Sequence, residues 1–384
     1  MSTKEGIPET GNRYNLNELA GAFGDLGTLV PFVVAYIVIL KMDGAAVLLG
    51  MGAALIVVGA LYRTPFPVQP MKAIGTVAVG QAAVAGLTAS AVVAAGLVTG
   101  IIWLILGATG LAKRAADIIP RPALLGVILG LGLSFMLEGL RMLSANPWVG
   151  GGLLALTLLM LSRPRFPAML VLLLIGCAIA LIEQPELAAE LSTINPTIEL
   201  PSLAWPALTW SDVWLGTILL ALPQLPLTFG NALVAITDEN NRLFPNHPTT
   251  ENRVAVSTGI MNLWSSAIGG IPLCHGAGGM AGHIRFGATT GGATVMLGVL
   301  LTATALVFGD SISLLLRVFP QSVLGVILFM AGAELAMSSK EPGPEKVDRF
   351  LVLATAALAV LNVGLAVIFG VLGYHAAKRG WLDL

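Results

Sequence analysis

The sequence predicts an all-α membrane protein with about fourteen transmembrane segments in a seven-plus-seven inverted repeat. Three observations lead to this prediction. The composition is too apolar for a chain dissolved in water. Apolar runs of membrane-spanning length follow one another from Leu19 almost to the C-terminus, and broken segments recur in the same order in the two halves.

The composition favours lipid as the solvent of most of the chain. Of the 384 residues, 56% are hydrophobic and 11% are charged, against about 25% charged in an ordinary soluble domain. A chain that spans lipid must satisfy its peptide groups internally, as a helix or a closed barrel does. The apolar runs are too long and too uniform for barrel strands, so we expect helices.

Several functional classes lack support in the sequence. The net charge is −1 and there is no basic block, so no nucleic-acid partner is expected. Cys177 and Cys274 lie in apolar segments without CxxC or His-Cys spacing, so we expect neither a disulfide framework nor a metal site. The sequence contains no HExxH or GxSxG motif. We therefore expect no enzyme activity and no cofactor.

Splitting the apolar runs at charges and Gly/Pro clusters gives about fourteen membrane segments. Residues 1–18 are polar, lack the apolar core of a signal peptide and form the expected cytoplasmic tail. The Pro-rich, acidic stretch 184–211 is the expected extracytoplasmic linker between a first repeat, 19–183, and a second repeat, 212–384. The segments lie near residues 19–40, 45–62, 67–84, 88–111, 119–140, 147–162, 166–183, 212–237, 253–269, 272–286, 290–309, 317–337, 347–362 and 363–378.

The distribution of basic residues predicts the orientation, because cytoplasmic loops are enriched in Lys and Arg. With this segment count and the N-terminus inside, nearly all of the 20 Lys and Arg residues fall on the cytoplasmic side. The exceptions are Lys41, Arg141 and Arg317 in outer loops and Lys72 within the membrane. We therefore expect a multi-pass protein of the plasma (inner) membrane with both termini in the cytoplasm.

The two halves share motifs in the same order. RPALLGVILG (121–130) matches PQSVLGVILF (320–329). Interruptions by proline and polar residues mark the first segment of each half, GDLGTLVP and PQLPLTFGN, and the third, PFPVQPMK and IPLCHGAGG. Seven spans per half is an odd number, so the second copy enters the membrane in the opposite sense. Inverted repeats are typical of secondary transporters, whose site lies where broken segments of the two halves meet.

Segments three and ten form that pair, and their composition suits a small anion. Pro70 and Pro272 can open short half-helices at membrane depth, whose first N–H groups carry about half a positive charge. The run HGAGG in segment ten lets a ligand approach the backbone closely, because glycine has no side chain in the way. This run consists of His275, Gly276, Ala277, Gly278 and Gly279.

Lys72 is the intramembrane cation that needs an explanation. It follows Gln69, Pro70 and Met71 in the third segment, and a lone cation in hydrocarbon requires a partner. That partner is either a bound anion or Asp25 of the first segment in a permanent ion pair, unless Lys72 snorkels to the inner surface. Asp25 in turn either lines a cavity in a locally irregular helix or is a polar packing residue.

Further candidates are polar side chains in or near the broken segments. His275 is either a hydrogen-bond donor and proton carrier or a packing histidine. Glu334, late in the twelfth segment, is either a proton-coupling carboxylate or an interfacial residue, and His283 and Arg285 are expected on a cytoplasmic exit rim. Thr in membrane helices commonly bonds its own backbone, so the threonines are the weaker donors to an oxyanion. The donor candidates are Thr28, Gln224, Thr228 and Asn231.

At these residues the sequence resembles the molybdate transporter family of prokaryotes and plants, distant relatives of the sulfate permeases. The similar stretches are ELAGAFGDLGTLVPF, PFPVQPMKAI, LPLTFGNALVAITD and PLCHGAGGMAGHIRFGA. The resemblance implies a core domain and a gate domain, with the oxyanion bound between half-helices three and ten. Carried over by position, it implies site roles for Asp25, Gln69, Lys72, Gln224, Asn231, His275 and the backbone of Gly276–Gly279.

These features together predict a secondary active transporter that takes up a tetrahedral oxyanion by alternating access. Molybdate is the expected substrate; tungstate, sulfate and other small anions are the alternatives, and an anion channel of the same fold is the rival mechanism. Uptake of an anion against an inside-negative potential costs about 2.3 kcal/mol per charge per 100 mV. We therefore expect a coupling ion, a proton carried by Asp25, His275 or Glu334. The bilayer is the other partner, and the sequence leaves a homodimer open.

Overall fold

The computed structural model describes residues 11–38, 40–72, 74, 75, 87–161, 168–194, 196, 198, 207–339 and 345–381. Across these residues the chain is a bundle of helices with one two-stranded sheet near its centre. Strand β1, Gln69–Pro70, belongs to the first half, and strand β2, Leu273–Cys274, belongs to the second.

Most helices of the first half are apolar, and side-chain caps fix where some of them begin. The Asp43 carboxylate accepts the N–H groups of Ala45 and Ala46 at the start of α3, and the Thr88 hydroxyl accepts that of Ala91 in α4. These helices are α1 Leu16–Ala22, α2 Leu26–Val38, α3 Gly44–Tyr62, α4 Ala89–Ala108, α5 Leu111–Ala116, α6 Arg121–Leu143, α7 Pro147–Leu161, α8 Ala168–Glu183 and α9 Pro185–Ser192.

The helices of the second half follow the same pattern. Thr209 and Asp212 form a capping box at the start of α10, and Thr250 caps α13. These helices are α10 Trp210–Leu215, α11 Leu222–Leu227, α12 Ile236–Leu243, α13 Glu251–Ala267, α14 Ala277–Arg285, α15 Gly292–Val307, α16 Ile312–Leu316, α17 Gln321–Ser338, α18 Lys346–Leu361 and α19 Val363–Lys378.

Three predicted segments are interrupted in the structure. A 3-10 turn, Phe23–Asp25, separates α1 from α2 within the first segment. In the third segment β1 precedes a helix that begins at Lys72, and in the tenth β2 precedes α14. Residues 73 and 76–84 of the third segment, and the two residues that follow it, lie outside the described residues. The predicted linker 184–211 contains α9, and its residues 195, 197 and 199–206 also lie outside them.

The predicted eighth segment is a continuous helix with two widened stretches. The π-helical stretches Gly216–Ala221 and Thr228–Ala235 alternate with α10, α11 and α12. The two prolines of PQLPL remove backbone donors from this helix, and π-helical turns in other proteins frequently occur at functional sites. The candidates Gln224, Thr228 and Asn231 all lie in or between these stretches.

Small residues let the helices of the two halves approach closely. A Cβ atom at Gly139 in α6 would lie 2.7 Å from the carbonyl oxygen of Gly325 in α17, and one at Gly332 would lie 2.7 Å from the carbonyl oxygen of Gly132. The residue numbers run in opposite directions along the two helices, so α6 and α17 are antiparallel. Such glycine contacts are typical of helix packing in lipid.

Length and composition identify the strongest membrane spans. Among the described residues, α3, α4 and α6 are each long and apolar enough to cross a bilayer by themselves, and α8 with α9 forms a further candidate bent by 101°. The remaining apolar helices are shorter, and several of them belong to segments that are interrupted or joined to another helix.

Candidate functional site

The broken third and tenth segments meet through β1 and β2. The strands are antiparallel, with Gln69 opposite Cys274 and Pro70 opposite Leu273. The Met71 N–H donates to the Pro272 carbonyl oxygen at 2.9 Å. The two segments are therefore non-helical where they come together, and their helices lead away from this junction.

The expectation that prolines open the two half-helices is wrong. Pro70 lies within β1, and Pro272 precedes β2. Because the backbone here is extended and paired across the two segments, the helices begin later, at Lys72 and at Ala277.

Asp25 reaches this junction because two glycines allow the 3-10 turn to lie directly on α14. A Cβ at Gly24 would lie 2.2 Å from the Gly282 carbonyl oxygen, and one at Gly282 would lie 2.3 Å from the Gly24 carbonyl oxygen. Any larger residue at either position would push the turn away. The irregular helix predicted around Asp25 is present.

Asp25, Thr28 and Gln69 form a buried hydrogen-bonded cluster, with 2%, 4% and 0% of their surfaces exposed. The Gln69 Nε2 donates to Asp25 Oδ1 and, at 2.8 Å, to Thr28 Oγ1. The Thr28 hydroxyl also reaches Asp25 Oδ1 and the Asp25 carbonyl oxygen. Among the described residues, Asp25 Oδ2 and Gln69 Oε1 have no hydrogen-bond partner although both are buried.

The glycines of HGAGG allow a close approach to the backbone, as predicted. The groups that approach it in the structure are protein side chains. A Cβ at Gly276 would lie 1.8 Å from Gln69 Oε1, and one at Gly279 would lie 2.6 Å from Gln69 Nε2 and 2.8 Å from Asp25 Oδ2. A Cβ at Gly278 would lie 1.9 Å from the ring of Phe135. Glycine at these positions therefore lets the Asp25–Thr28–Gln69 cluster and Phe135 pack against the start of α14.

Lys72 does not form the ion pair with Asp25 that was one of its predicted alternatives. Its Nζ is buried and has no hydrogen-bond partner in the part of the chain that the structure describes. The Nζ instead lies 3.6 Å from the centroid of the Phe135 ring. Because Nζ is buried, Lys72 does not snorkel to the surface in this structure.

The eighth segment holds the starts of both half-helices. Gln224 Oε1 accepts the Ile74 N–H at 3.3 Å, and Asn231 Oδ1 accepts the Ala277 N–H at 3.2 Å. Gln224 Nε2 donates to Thr228 Oγ1 at 2.9 Å. Side chains of this one helix therefore bond N–H groups of both broken segments. The three predicted site residues therefore lie at the junction.

The His275 ring is engaged by its own protein environment. Its Nδ1 lies 2.8 Å from the Pro67 carbonyl oxygen, which can only accept, so Nδ1 carries the proton and donates. Its Nε2 lies 2.8 Å from the Ser257 hydroxyl, and the rings of Tyr62 and Phe66 pack around it. His275 can bind an anion only after one of these hydrogen bonds breaks.

Charged residues gather near the ends of the eighth, tenth and twelfth predicted segments, on the side assigned to the cytoplasm. Arg285 pairs with Glu334 at 3.3 Å, and Arg242 pairs with Glu239 at 3.7 Å. Burial raises the pKa of Glu239 to about 8, against the lowering effect of Arg242 and with a smaller raising effect of Glu334. We call these four residues the inner charge cluster.

The expectation that His283 lies on an exit rim is wrong, because its side chain is fully buried. Its Nδ1 donates to the Gly21 carbonyl oxygen at 2.8 Å. Arg285, two residues further along α14, is half-buried and does belong to the inner charge cluster.

Phe135 lies at the junction but is not among the site residues that the sequence predicts. It lies in α6, in the stretch LGLSFMLEGL, and is 7% exposed. A phenylalanine in an apolar span has no feature in the sequence that separates it from other core phenylalanines. Its position opposite Lys72 and Gly278 becomes visible only once α6 is packed against the two broken segments.

Comparison with known proteins places the chain among transporters. The sequence model of the family described as "Molybdate transporter of MFS superfamily" matches residues 17–135 and 216–335. Molybdate transporter 2 of Arabidopsis thaliana is 33% identical over 419 aligned positions, which cover 96% of this chain and 88% of that protein.

Solved structures with the same fold include two anion transporters. The transmembrane domain of the cyanobacterial bicarbonate transporter BicA aligns with a TM-score of 0.59 and 16% identity, over 93% of this chain and 99% of that one. The murine anion transporter Slc26a9 in an inward-facing state aligns with a TM-score of 0.64 and 13% identity, over 99% of this chain and 70% of that one. The predicted fold class, a helical membrane protein with a seven-plus-seven inverted repeat, is confirmed.

Proposed function

Because the chain belongs to the molybdate transporter family, we propose that it is a secondary active transporter that takes up molybdate by alternating access. The coarser assignment, an integral multi-pass membrane protein that transports an anion, follows from the family itself. The finer proposal concerns the substrate, the site and the coupling ion. It rests on one observation above all: at the junction of β1 and β2, the buried Lys72 ammonium has no hydrogen-bond partner among the residues that the structure describes.

An anion is the ligand that this junction suits. A buried cation without a counter-charge is unfavourable, and a divalent oxyanion beside Lys72 Nζ would supply both charge and hydrogen-bond acceptors. The first peptide groups of the helices that begin at Lys72 and Ala277 add positive partial charge. We therefore place the oxyanion between half-helices three and ten. Asp25, Thr28, Gln69 and Lys72 would lie beside it, and Gln224, Thr228 and Asn231 would hold the half-helices in place.

Asp25 supports proton coupling. An ionised carboxylate only accepts hydrogen bonds, so a free Asp25 Oδ2 would repel an oxyanion at the same junction. With a proton on Oδ2, Asp25 becomes neutral and gains a donor. The proton that enters with the anion would thus remove the repulsion and offset part of the charge carried against the membrane potential.

The alternating movement would take place between two groups of helices. One carries β1, β2 and α14 with the candidate site, and the other contains α6 and α17, which pack against each other through their glycines. Movement of one group past the other would open the junction to each side in turn. The excess of basic residues in the expected inner loops supports a plasma-membrane protein with both termini in the cytoplasm.

Uptake of radiolabelled molybdate into proteoliposomes tests this function. An inwardly directed proton gradient should drive accumulation above the outside concentration, and unlabelled molybdate and tungstate should compete more strongly than sulfate. Equilibration without accumulation would indicate a channel. Stronger competition by sulfate than by molybdate would indicate that sulfate is the substrate. It would not contradict the fold or the proposed mechanism.

A further inference from the structure

Phe135 stands between the two half-helix starts. Its ring lies against Gly278 in the first turn of α14 and faces Lys72 from the third segment. Behind it, a Cβ at Gly332 in α17 would lie 2.8 Å from the Phe135 Cβ. The side chain is thus supported by α17 and projects from α6 into the junction where the oxyanion is proposed to bind.

The ring also provides the electrostatic partner of Lys72. The face of an aromatic ring carries the negative end of its quadrupole, and a cation within about 6 Å of the centroid is attracted to it. Lys72 Nζ lies at 3.6 Å, well inside that limit. With no hydrogen-bond acceptor at Nζ among the described residues, the Phe135 face is the group in direct contact that stabilises the buried ammonium.

We propose that Phe135 competes with the transported anion for Lys72, and that the anion must draw Lys72 off the ring in order to bind. The inference rests on the proposed function, because it assumes that the oxyanion engages Lys72. It assigns to Phe135 a positioning role that the other residues of the junction do not have.

The competition would link occupancy of the site to movement of the helices. Lys72 and Phe135 belong to the two different groups of helices that are proposed to move past each other. While the site is empty, the Lys72–Phe135 contact ties these groups together. When the anion takes over Lys72, that tie is released, so the loaded carrier moves more readily than the empty one.

Graded fluorination of the ring tests the competition with little change in shape. The residue at 135 is replaced by 4-fluoro-, 3,5-difluoro- and 3,4,5-trifluorophenylalanine, which progressively weaken the attraction for a cation. Molybdate affinity of the purified full-length protein is then measured by calorimetric titration. We expect affinity to tighten stepwise, by about two- to thirtyfold over the series, which corresponds to about 0.5–2 kcal/mol of cation–π attraction lost from the empty state.

The matched control is the same series at Phe229, whose ring stacks on Trp103 with 6.5 Å between the centroids. Affinity should not change with fluorination there. An unchanged or weakened affinity across the Phe135 series, with normal binding by the parent protein, would overturn the competition and leave the proposed function standing. Failure of the parent protein to bind any oxyanion would overturn both.

Discussion

The guanidinium of Arg285 lies 3.3 Å from the carboxylate of Glu334 and joins the end of α14 to α17. This ion pair connects a helix of the candidate site with one of the helices against which the site is proposed to move. Both side chains are about a quarter to a third exposed, so solvent screens their attraction. The pair is therefore a weak and reversible link, which is compatible with the proposed movement of α14 past α17.

A double-mutant cycle measures this link. Arg285→Gln, Glu334→Gln and the double variant are compared by thermal unfolding in detergent, and we expect a coupling free energy of about 0.2–1 kcal/mol. A coupling free energy of zero would show that the two side chains do not stabilise each other in solution.

Asp25 and Glu334 are the two carboxylates whose coupling roles can be separated by substitution. Asp25→Asn removes the site that the proton is proposed to occupy, so it should abolish proton-driven accumulation of molybdate in proteoliposomes. Glu334→Gln serves as the comparison, because its carboxylate already pairs with Arg285 away from the β1–β2 junction; it should retain accumulation. Accumulation that persists in Asp25→Asn and is lost in Glu334→Gln would indicate that the coupling site lies in the inner charge cluster.

Gly278 should tolerate no side chain while Phe135 is present. A Cβ at Gly278 would lie 1.9 Å from the Phe135 ring, so Gly278→Ala should destabilise the protein by about 1–3 kcal/mol through overpacking. Gly278→Leu, which is larger, should also abolish molybdate uptake. Both effects are measured on purified protein, by thermal unfolding and by uptake into proteoliposomes.

Two further variants make the Gly278 prediction specific. Gly151→Ala, in α7 where a Cβ would meet nothing within 4 Å, should be neutral or slightly stabilising. Phe135→Ala combined with Gly278→Ala should recover part of the lost stability, since the clashing ring is gone. Purely additive losses in that double variant would show that the two residues are not in contact.

The structure explains why the sequence predicts some features of this protein and misses others. Broken segments are visible as glycines and prolines within apolar runs, so the interruptions near Asp25, Gln69 and His275 could be predicted. The direction in which a side chain points could not be predicted, because it depends on packing partners that are distant in sequence. His275 is adjacent to the glycine run, yet its ring nitrogens bond Pro67 and Ser257.

The eighth segment illustrates the same limit. The sequence predicts its amides as donors to an anion because they are polar groups in a broken helix. In the structure the side-chain oxygens of Gln224 and Asn231 accept the N–H groups of Ile74 and Ala277. Identifying that role requires knowing that the starts of both half-helices lie against this helix. The spacing of residues within one segment does not give that information.

The raised pKa of Glu239 predicts that the stability of the folded protein depends on pH. Its pKa in the folded protein is raised by burial from an ordinary value of 4.5 to about 8. Between these two values the folded state holds a proton that the unfolded state has released, so stability falls as pH rises from about 4.5 to about 8. Glu239→Gln stays neutral and loses this contribution.

Thermal unfolding of wild type and Glu239→Gln across pH 5 to 9 checks the sign. The melting temperature of the wild type should decline relative to that of the variant as pH increases, and the difference should level off above about pH 8. Parallel curves for the two proteins would contradict the raised pKa of Glu239.

Binding of molybdate to Lys72 is the claim on which the transport account depends, and calorimetric titration tests it most directly. Wild type, Lys72→Met and the control Lys113→Met, an exposed position in α5, are titrated with molybdate, tungstate and sulfate under identical conditions. Wild type and Lys113→Met should bind molybdate alike, whereas Lys72→Met should remain folded and show no saturable binding. Wild-type affinity in Lys72→Met would contradict an anion site at the junction of the two broken segments.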